Sequence, residues 1–359
     1  MIHILIGTKA QLIKMAPVMK ELQSREIDYN FIFSGQHNET IKDIRANFGV
    51  KAPDFVLYSG KDITSIPQIF FWFIRVLGKG LLNRGRICKN DSQGIILNHG
   101  DTFSALLGSI LGRLSGLKTG HIESGLRSFR LFHPFPEEIT RRLVFHLTDY
   151  FFCPGDWAVQ NVKNYRGEII NTKENTLYDA LNLSTSFSEP VECPECPFAI
   201  ATIHRYENIF KPEQLAKIVE IIEKIAGGIK VLFIMHPPTK KNLLKYGYYD
   251  RLAANPMIEL RPRYDYFRFI SLLKNAEYVI SDGGSNQEEC FYIGKPCLLL
   301  RYATERKEGL DKNVVLSCFK AELIDDFVNN YKSYEFPPYH VTTGPSKLIV
   351  DLLIEKGFS

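Results

Sequence analysis

Short runs of β-branched and aromatic residues alternate with amphipathic stretches along most of the chain, and the short runs are apolar on both faces. Residues 2–6, 29–33, 94–98, 118–122 and 150–153 read as strands of this kind. Helical patterns lie between them: 10–23, with Leu12, Met15, Ala16, Met19 and Leu22 on one side, then a stretch through Leu106, Leu107, Ile110 and Leu111, then 137–147. Strands apolar on both faces and separated by helices build a parallel sheet covered on both sides. Pro17 lacks a backbone donor and predicts a kink or a late start in the first helix.

The rhythm breaks between residues 167 and 197, where Asn171, Lys173, Asn175, Ser184, Ser186 and Ser188 precede Pro190, Pro194 and Pro197. A second alternation comes after it, with strands at 198–203, 229–235, 257–260, 278–280 and 297–300 and helices at 213–225, 266–276 and after Gly284. A last helix covers 346–355. At roughly 150 residues per domain, 359 residues suit two domains. The expected fold is α/β: two doubly wound Rossmann-like domains, 1–166 and 198–340, facing each other across a cleft. A linker region, 167–197, joins them, and a C-terminal helix within 341–359 can cross back to the first domain.

Composition narrows the function. Hydrophobic residues at 45% and charged residues at 23% describe an ordinary globular chain and exclude disorder and fibrous repeats. A net charge of +4 is too weak and too scattered for nucleic acid, but suits a substrate carrying phosphates. The aromatic run 69–77 is broken by Arg75 and falls far short of the roughly 20 apolar residues of a spanning helix. It is expected to be a packed helix suited to a homodimer interface, with peripheral membrane contact as the alternative. Met1 runs straight into a strand, and Lys9 and Lys14 interrupt the residues beyond that strand, so no signal peptide is expected. Seven cysteines lie singly except Cys193 and Cys196, which lack the partners of a zinc site; free thiols and a cytoplasmic location are expected.

Ligands of an open parallel sheet bind beyond the carboxyl ends of the strands. The polar residues there are Gly7-Thr8-Lys9 with Lys14, Ser34 to His37, His99 to Thr102 and Glu123 to Arg127. The second half adds His204-Arg205, His236, Asp282 to Ser285 and Arg301. Each has an ordinary explanation: Asp101 as an N-cap, Glu137 and Glu138 as complements of a helix dipole, a strand-end histidine as a structural residue. Their convergence on the same edge of two sheets favours a site. Gly283-Gly284-Ser285 opening a helix has the form of a phosphate cradle. Neither GxGxxG nor a Walker lysine occurs, which disfavours nicotinamide enzymes and P-loop kinases, and neither a metal-ligand spacing nor a nucleophile elbow is present.

The segments GTKAQLIKMAP, SGQH, HGDTFS, HIESGLRS, PFPEE with Arg141, NTLYDA, TIHRYEN, QEE, GKPCLLLR and TERKEG occur in this order. On these the chain resembles the non-hydrolysing UDP-N-acetylglucosamine 2-epimerases, whose fold is similar to the two-Rossmann glycosyltransferases (GT-B). The resemblance runs from Gly7 to about Gly309. It implies elimination of UDP from a UDP-sugar and re-addition with C2 inverted, with neither a metal nor a redox cofactor, in surface polysaccharide synthesis. It further implies a homodimer. By the same resemblance Asp101, Glu123 and Glu137 match three catalytic acids, His204 an essential histidine and Arg141 a helix arginine near the sugar. Gly283, Gly284 and Ser285 would hold phosphates, Glu289 the ribose, and Arg306 the diphosphate or sugar; Lys9, Lys14 and His236 complete the substrate-binding set.

The chain departs from the family pattern at several places. Arg-Pro-Glu after Gly-Thr is here Lys9-Ala10-Gln11, Ser-Gly-Gly-Ile is Gly283-Gly284-Ser285-Asn286, and the second arginine of His-Arg-Arg is Tyr206. Thr140 replaces an asparagine and Lys307 a proline. A related substrate, a diacetamido or uronic acid sugar, is therefore a second expectation, with extra cationic contacts near Lys9 and Arg130. A hydrolysing epimerase and a GT-B glycosyltransferase stand behind it, and a silent nucleotide-sugar sensor is disfavoured by the intact acids. Family members differ in whether substrate activates near Gln36 and His37, where Glu39 lies.

Overall fold

Each apolar run forms a strand because neither of its faces meets water, and the helices between them supply the cover. The computed structural model describes residues 1–38, 41–63, 66–129, 136–185 and 191–358. The chain divides into two units, Met1–Leu183 with Thr342–Ser359, and Ser184–Val341.

In the first unit the strands are β1 (Ile2–Ile6), β2 (Tyr29–Phe33), β3 (Phe55–Val56), β4 (Ile95–His99), β5 (Lys118–Ile122), β6 (Tyr150–Cys153) and β7 (Glu168–Asn171). They form one sheet in the order β3-β2-β1-β4-β5-β6-β7, and every pairing is parallel. Ile2 lies opposite Tyr29 on one side and Ile95 on the other, so β1 is central and all five of its residues are buried. Strand order reverses between β1 and β4, which makes the carboxyl end of that pair the place for a ligand.

The second unit repeats the plan. Strands β8 (Phe198–Thr202), β9 (Lys230–Met235), β10 (Ile258–Pro262), β11 (Val279–Ser281), β12 (Cys297–Leu299) and β13 (Val314–Leu316) run in the order β10-β9-β8-β11-β12-β13, all parallel. Its reversal lies between β8 and β11. Two doubly wound sheets of this order make a GT-B-like α/β fold.

The stretch 167–197 is not a plain connection. It holds β7 and, up to Leu183, the helix Leu177–Thr185 in the first unit. Beyond the undescribed 186–190, Val191 and Cys193 pack against the core of the second, where Arg261 donates to the Glu192 carbonyl at 2.6 Å. Its polar composition belongs to an edge strand, whose last residue Asn171 donates to Asp156 at 2.6 Å. The C-terminal helix Pro345–Glu355 belongs to the first unit, where Ile349, Val350 and Leu353 are buried. Arg25 pairs with Asp351 at 2.6 Å, and the Ser346 N–H donates to Asp179 at 2.7 Å.

The first helix does not start late at Pro17. It runs from Lys9 to Ser24 with Pro17 inside, because Thr8 caps it and exchanges hydrogen bonds with Gln11 in a capping box. The aromatic run lies in the helix Ile66–Leu82, which buries Trp72 and Val76 and leaves Phe70, Phe71, Ile74 and Leu82 exposed. Among the described residues no helix is long and apolar enough to cross a membrane.

Candidate active site

At the end of β1 the chain leaves no room for a side chain: a Cβ on Gly7 would overlap the hydroxyl oxygens of Ser34 and Ser104. Those hydroxyls lie 2.8 Å apart, and Ser104 donates to Gln36 at 2.9 Å. Gln11 accepts from the Gly7 N–H at 2.9 Å and donates to the His99 carbonyl at 2.6 Å, so it ties the loop after β1 to the end of β4. An amide can do both, whereas an ionised glutamate only accepts. Lys9 opens the helix, half-buried.

Three ionisable groups meet above β4 and β5. Lys14 donates to Glu123, and the same carboxylate oxygen lies 3.2 Å from His99 Nε2. All three are buried. Glu123 is held at φ 62, a left-handed conformation that an L residue adopts only when its surroundings impose it. Beneath, buried His121 donates from Nε2 to the Gly100 carbonyl at 2.7 Å, and its Nδ1 accepts from Ser124 at 2.9 Å. Burial brings its pKa down to about 4, against the pull of Glu123 and Asp101, so the ring is neutral.

The helix Glu137–Leu147 supplies the second cluster. Arg141 donates to Asp101 at 2.5 Å and to Glu138 at 3.3 Å. Glu138, 1% exposed, also accepts from Arg127 at 2.5 Å and from the Ser128 N–H at 3.0 Å. Burial would raise its pKa, but the Ser128 N–H, Arg127 and Arg141 outweigh that and hold it below the ordinary carboxylate value. Glu137 sits half-buried in the same first turn. In this unit, then, Lys14, Glu123, Asp101 and Arg141 gather at the carboxyl edge of β4 and β5. Arg130, Pro134, Phe135 and Glu39 lie outside the described residues.

In the second unit the organiser is Asp282, fully buried after β11. It accepts from the N–H groups of His204 at 3.0 Å and Arg205 at 2.9 Å and from the Asn208 amide at 2.9 Å. Its carboxylate also lies 3.3 Å from His204 Nδ1. His204 stacks on His236 with ring centres 4.6 Å apart, and keeps 36% of its side chain exposed. Desolvation lowers its pKa, opposed by Asp282. Gly283 caps the helix Gly284–Ile293 without any side-chain cap, which leaves the first-turn N–H groups to another acceptor. A Cβ on Gly283 would come within 2.8 Å of His204 Cε1, and one on Gly284 within 3.0 Å of Arg306 Nε. The two glycines therefore let the histidine and the arginine close on the helix start, where Ser285 is half-buried.

Behind this edge Arg306 pairs with buried Glu288 at 2.7 Å, and Asn286 donates to Glu289 at 2.8 Å. Burial pushes Glu305 up, but Arg301, Arg205 and Arg306 overcome it and hold its pKa at about 2. The structure thus groups His204, His236, Gly283, Gly284 and Arg306, with Glu289 one turn along the helix. Glu288 and Glu305 lie inside QEE and TERKEG with nothing in the spacing to mark their arginine partners, and Glu138 reads in the sequence as a dipole complement. The i,i+3 spacing of Glu138 and Arg141 was the available signal. Among the described residues no group of three or more His, Cys, Asp and Glu side chains is placed to hold a metal ion.

Two doubly wound units, each with a polar cluster at the ligand-binding edge of its sheet, define a class of two-Rossmann α/β proteins, and comparison with known proteins narrows it. The family described as UDP-N-acetylglucosamine 2-epimerase matches residues 20–333. A protein of that name from Methanococcus maripaludis is 32% identical over 328 residues, 87% of this chain and 86% of the relative. A UDP-2,3-diacetamido-2,3-dideoxy-D-glucuronate 2-epimerase from Pseudomonas aeruginosa is 29% identical over 311 residues, 84% of this chain and 83% of the relative. The crystal structure of UDP-GlcNAc 2-epimerase from Neisseria meningitidis bound to UDP-GlcNAc superposes with a TM-score of 0.84 at 26% identity, covering 99% of both chains. The chain belongs to the UDP-N-acetylglucosamine 2-epimerase family.

Proposed function

We propose that the protein interconverts UDP-N-acetylglucosamine and UDP-N-acetylmannosamine without hydrolysis. The observation that carries this reading is the pair of acids at the edge of the first sheet, Asp101 on Arg141 and Glu123 on Lys14 and His99. Inverting C2 needs one group to take its proton and another to return one on the opposite face. The two acids have different cationic partners, which is how their proton affinities can be separated. In the forward step the C2–H bond breaks, its electrons form the C1–C2 double bond, and the C1–O bond to the β-phosphate breaks with its electron pair leaving on UDP. Re-addition reverses this with the proton delivered from the other face.

In this scheme Asp101, Glu123 and Glu137 handle protons with His204. Gly283, Gly284, Ser285 and Arg306 stabilise the departing diphosphate, where charge develops. Glu289 holds the ribose, and Lys9, Lys14, Arg141 and His236 complete the substrate contacts. Proton NMR with UDP-N-acetylglucosamine in deuterated water tests it. Deuterium at C2 and a manno signal still attached to UDP are expected; free sugar with UDP would place the chain in a hydrolysing branch.

A modified substrate is the second reading, favoured by the Pseudomonas relative and by Lys9 and Ser285 standing where the family has arginine and glycine. Faster exchange on a diacetamido uronic sugar than on UDP-N-acetylglucosamine would select it. A homodimer through the exposed face of the helix Ile66–Leu82 and a cytoplasmic location belong to the same proposal. They are supported by exposed Phe70, Phe71 and Leu82 and by seven free thiols, which suit a reducing compartment.

A further inference from the structure

The first unit carries a cavity of about 650 Å³ whose lining includes none of Asp101, Glu123 and Glu137; its lining residues come from three segments: the loop after β5, the outer face of the helix Glu137–Leu147, and the helix and turn before β7. A volume in the range of roughly 300–1,000 Å³ suits a small metabolite. Arg127, Arg142 and Arg166 line it together with His146, and among the described residues no carboxylate lines it. An ordinary solvated face interleaves both signs of charge. Neither Arg142 nor Arg166 has an ion-pair partner among the described residues. Phe129 is 71% exposed beside them with Arg127 stacked 5.0 Å over its ring, and Tyr165 packs on His146 at 5.0 Å. The lining therefore offers two exposed guanidinium forks, Arg142 and Arg166, and two aromatic walls to an anion.

We propose that this cavity binds a phosphate-bearing small molecule as an inhibitory effector, with Arg142 and Arg166 holding the phosphate. Arg127 gives the site its reach. Its guanidinium pairs with Glu138, Glu138 pairs with Arg141, and Arg141 pairs with Asp101. An anion that draws Arg127 away leaves the charge of Glu138 to Arg141 and the Ser128 N–H, and the hold of Arg141 on Asp101 loosens. The effect on turnover rests on the epimerase reading; the binding site does not.

The test is calorimetric titration of inorganic pyrophosphate into the full-length protein saturated with UDP, which occupies the nucleotide site. Wild type is expected to bind, and Arg142→Ala/Arg166→Ala to bind at least about tenfold more weakly, because two charge-assisted forks are lost. The variant's UDP affinity should be unchanged. Equal affinity for pyrophosphate in both proteins, or none in wild type, overturns the site. Arg142→Lys/Arg166→Lys, which keeps the charge and loses the fork, should fall between the two and covers a folding failure of the alanine variant. Turnover with pyrophosphate added should fall in wild type and hold in the variant; binding without inhibition overturns the coupling.

Discussion

Glu138 sits 1% exposed between two guanidiniums, Arg127 and Arg141, and its removal strips Arg127 of its carboxylate while Arg141 keeps Asp101. Breaking a buried ion pair by deleting one partner costs about 3–5 kcal/mol. Glu138→Ala should therefore lower unfolding free energy in urea by that order, whereas exposed Glu355→Ala should leave it within about 0.5 kcal/mol. The acids at the site should behave differently. Asp101→Asn, Glu123→Gln and His204→Asn are each expected to cut turnover by about a hundredfold or more, the usual share of a positioned acid or base, while UDP binding persists. Wild-type turnover in any two of them would sink the role assignment. At this scale the motif residues were legible, because strand ends announce themselves in the sequence. Asp282 and Glu138 were only half legible. Asp282 accepts from the backbone of residues 204 and 205, and Glu138 from that of Ser128, and those partners arrive through the fold rather than through spacing.

Among the elements, the turn after β1 is the least tolerant. Gly7→Ala would drive a methyl group into Ser34 and Ser104, which are themselves bonded to each other and to Gln36. Overpacking of this kind costs about 1–3 kcal/mol, so the midpoint of urea unfolding should fall. Central strands were readable because burial on both faces demands an unbroken apolar run, as in β1 and β8. Edge elements were not. β3 has two residues, and β7 is Glu-Ile-Ile-Asn with no buried position. Neither has the length or the apolar continuity from which a strand is read. The first helix starts at Lys9 because Thr8 and Gln11 bond each other, a local cue that outweighed Pro17 in fixing where the helix begins.

Across the whole molecule, acid stability should fall in two steps. His121 is neutral in the fold with a pKa of about 4, below its ordinary 6.5. As pH falls through that window the unfolded chain takes up a proton that the folded one refuses, and stability drops by about 3 kcal/mol. Glu305, held at about 2, contributes stability above its ordinary 4.5 that is lost as pH falls from there towards 2. Urea titrations at pH 7 and pH 5 should differ in wild type, and the difference should shrink in His121→Gln. The exposed face of the helix Ile66–Leu82 makes a separate prediction. With Phe71 71% and Leu82 88% exposed, Phe71→Ser/Leu82→Ser should turn a sedimenting dimer into a monomer. Sedimentation of wild type as a monomer at micromolar concentration would remove the dimer. The two-sheet plan was visible in the sequence as two runs of alternation, since periodicity survives without knowledge of contacts.

The return of the C-terminal helix to the first unit has a consequence for manufacture. Residues 1–183 leave the ribosome first, yet the helix that buries Ile349, Val350 and Leu353 in their unit comes only after Ser184–Val341 has been translated. At about 5–20 residues per second, that delay is roughly ten to thirty seconds. For that interval the nascent first unit lacks one of its layers, and the face of the Lys9–Ser24 helix that the last helix will cover stays open to chaperones.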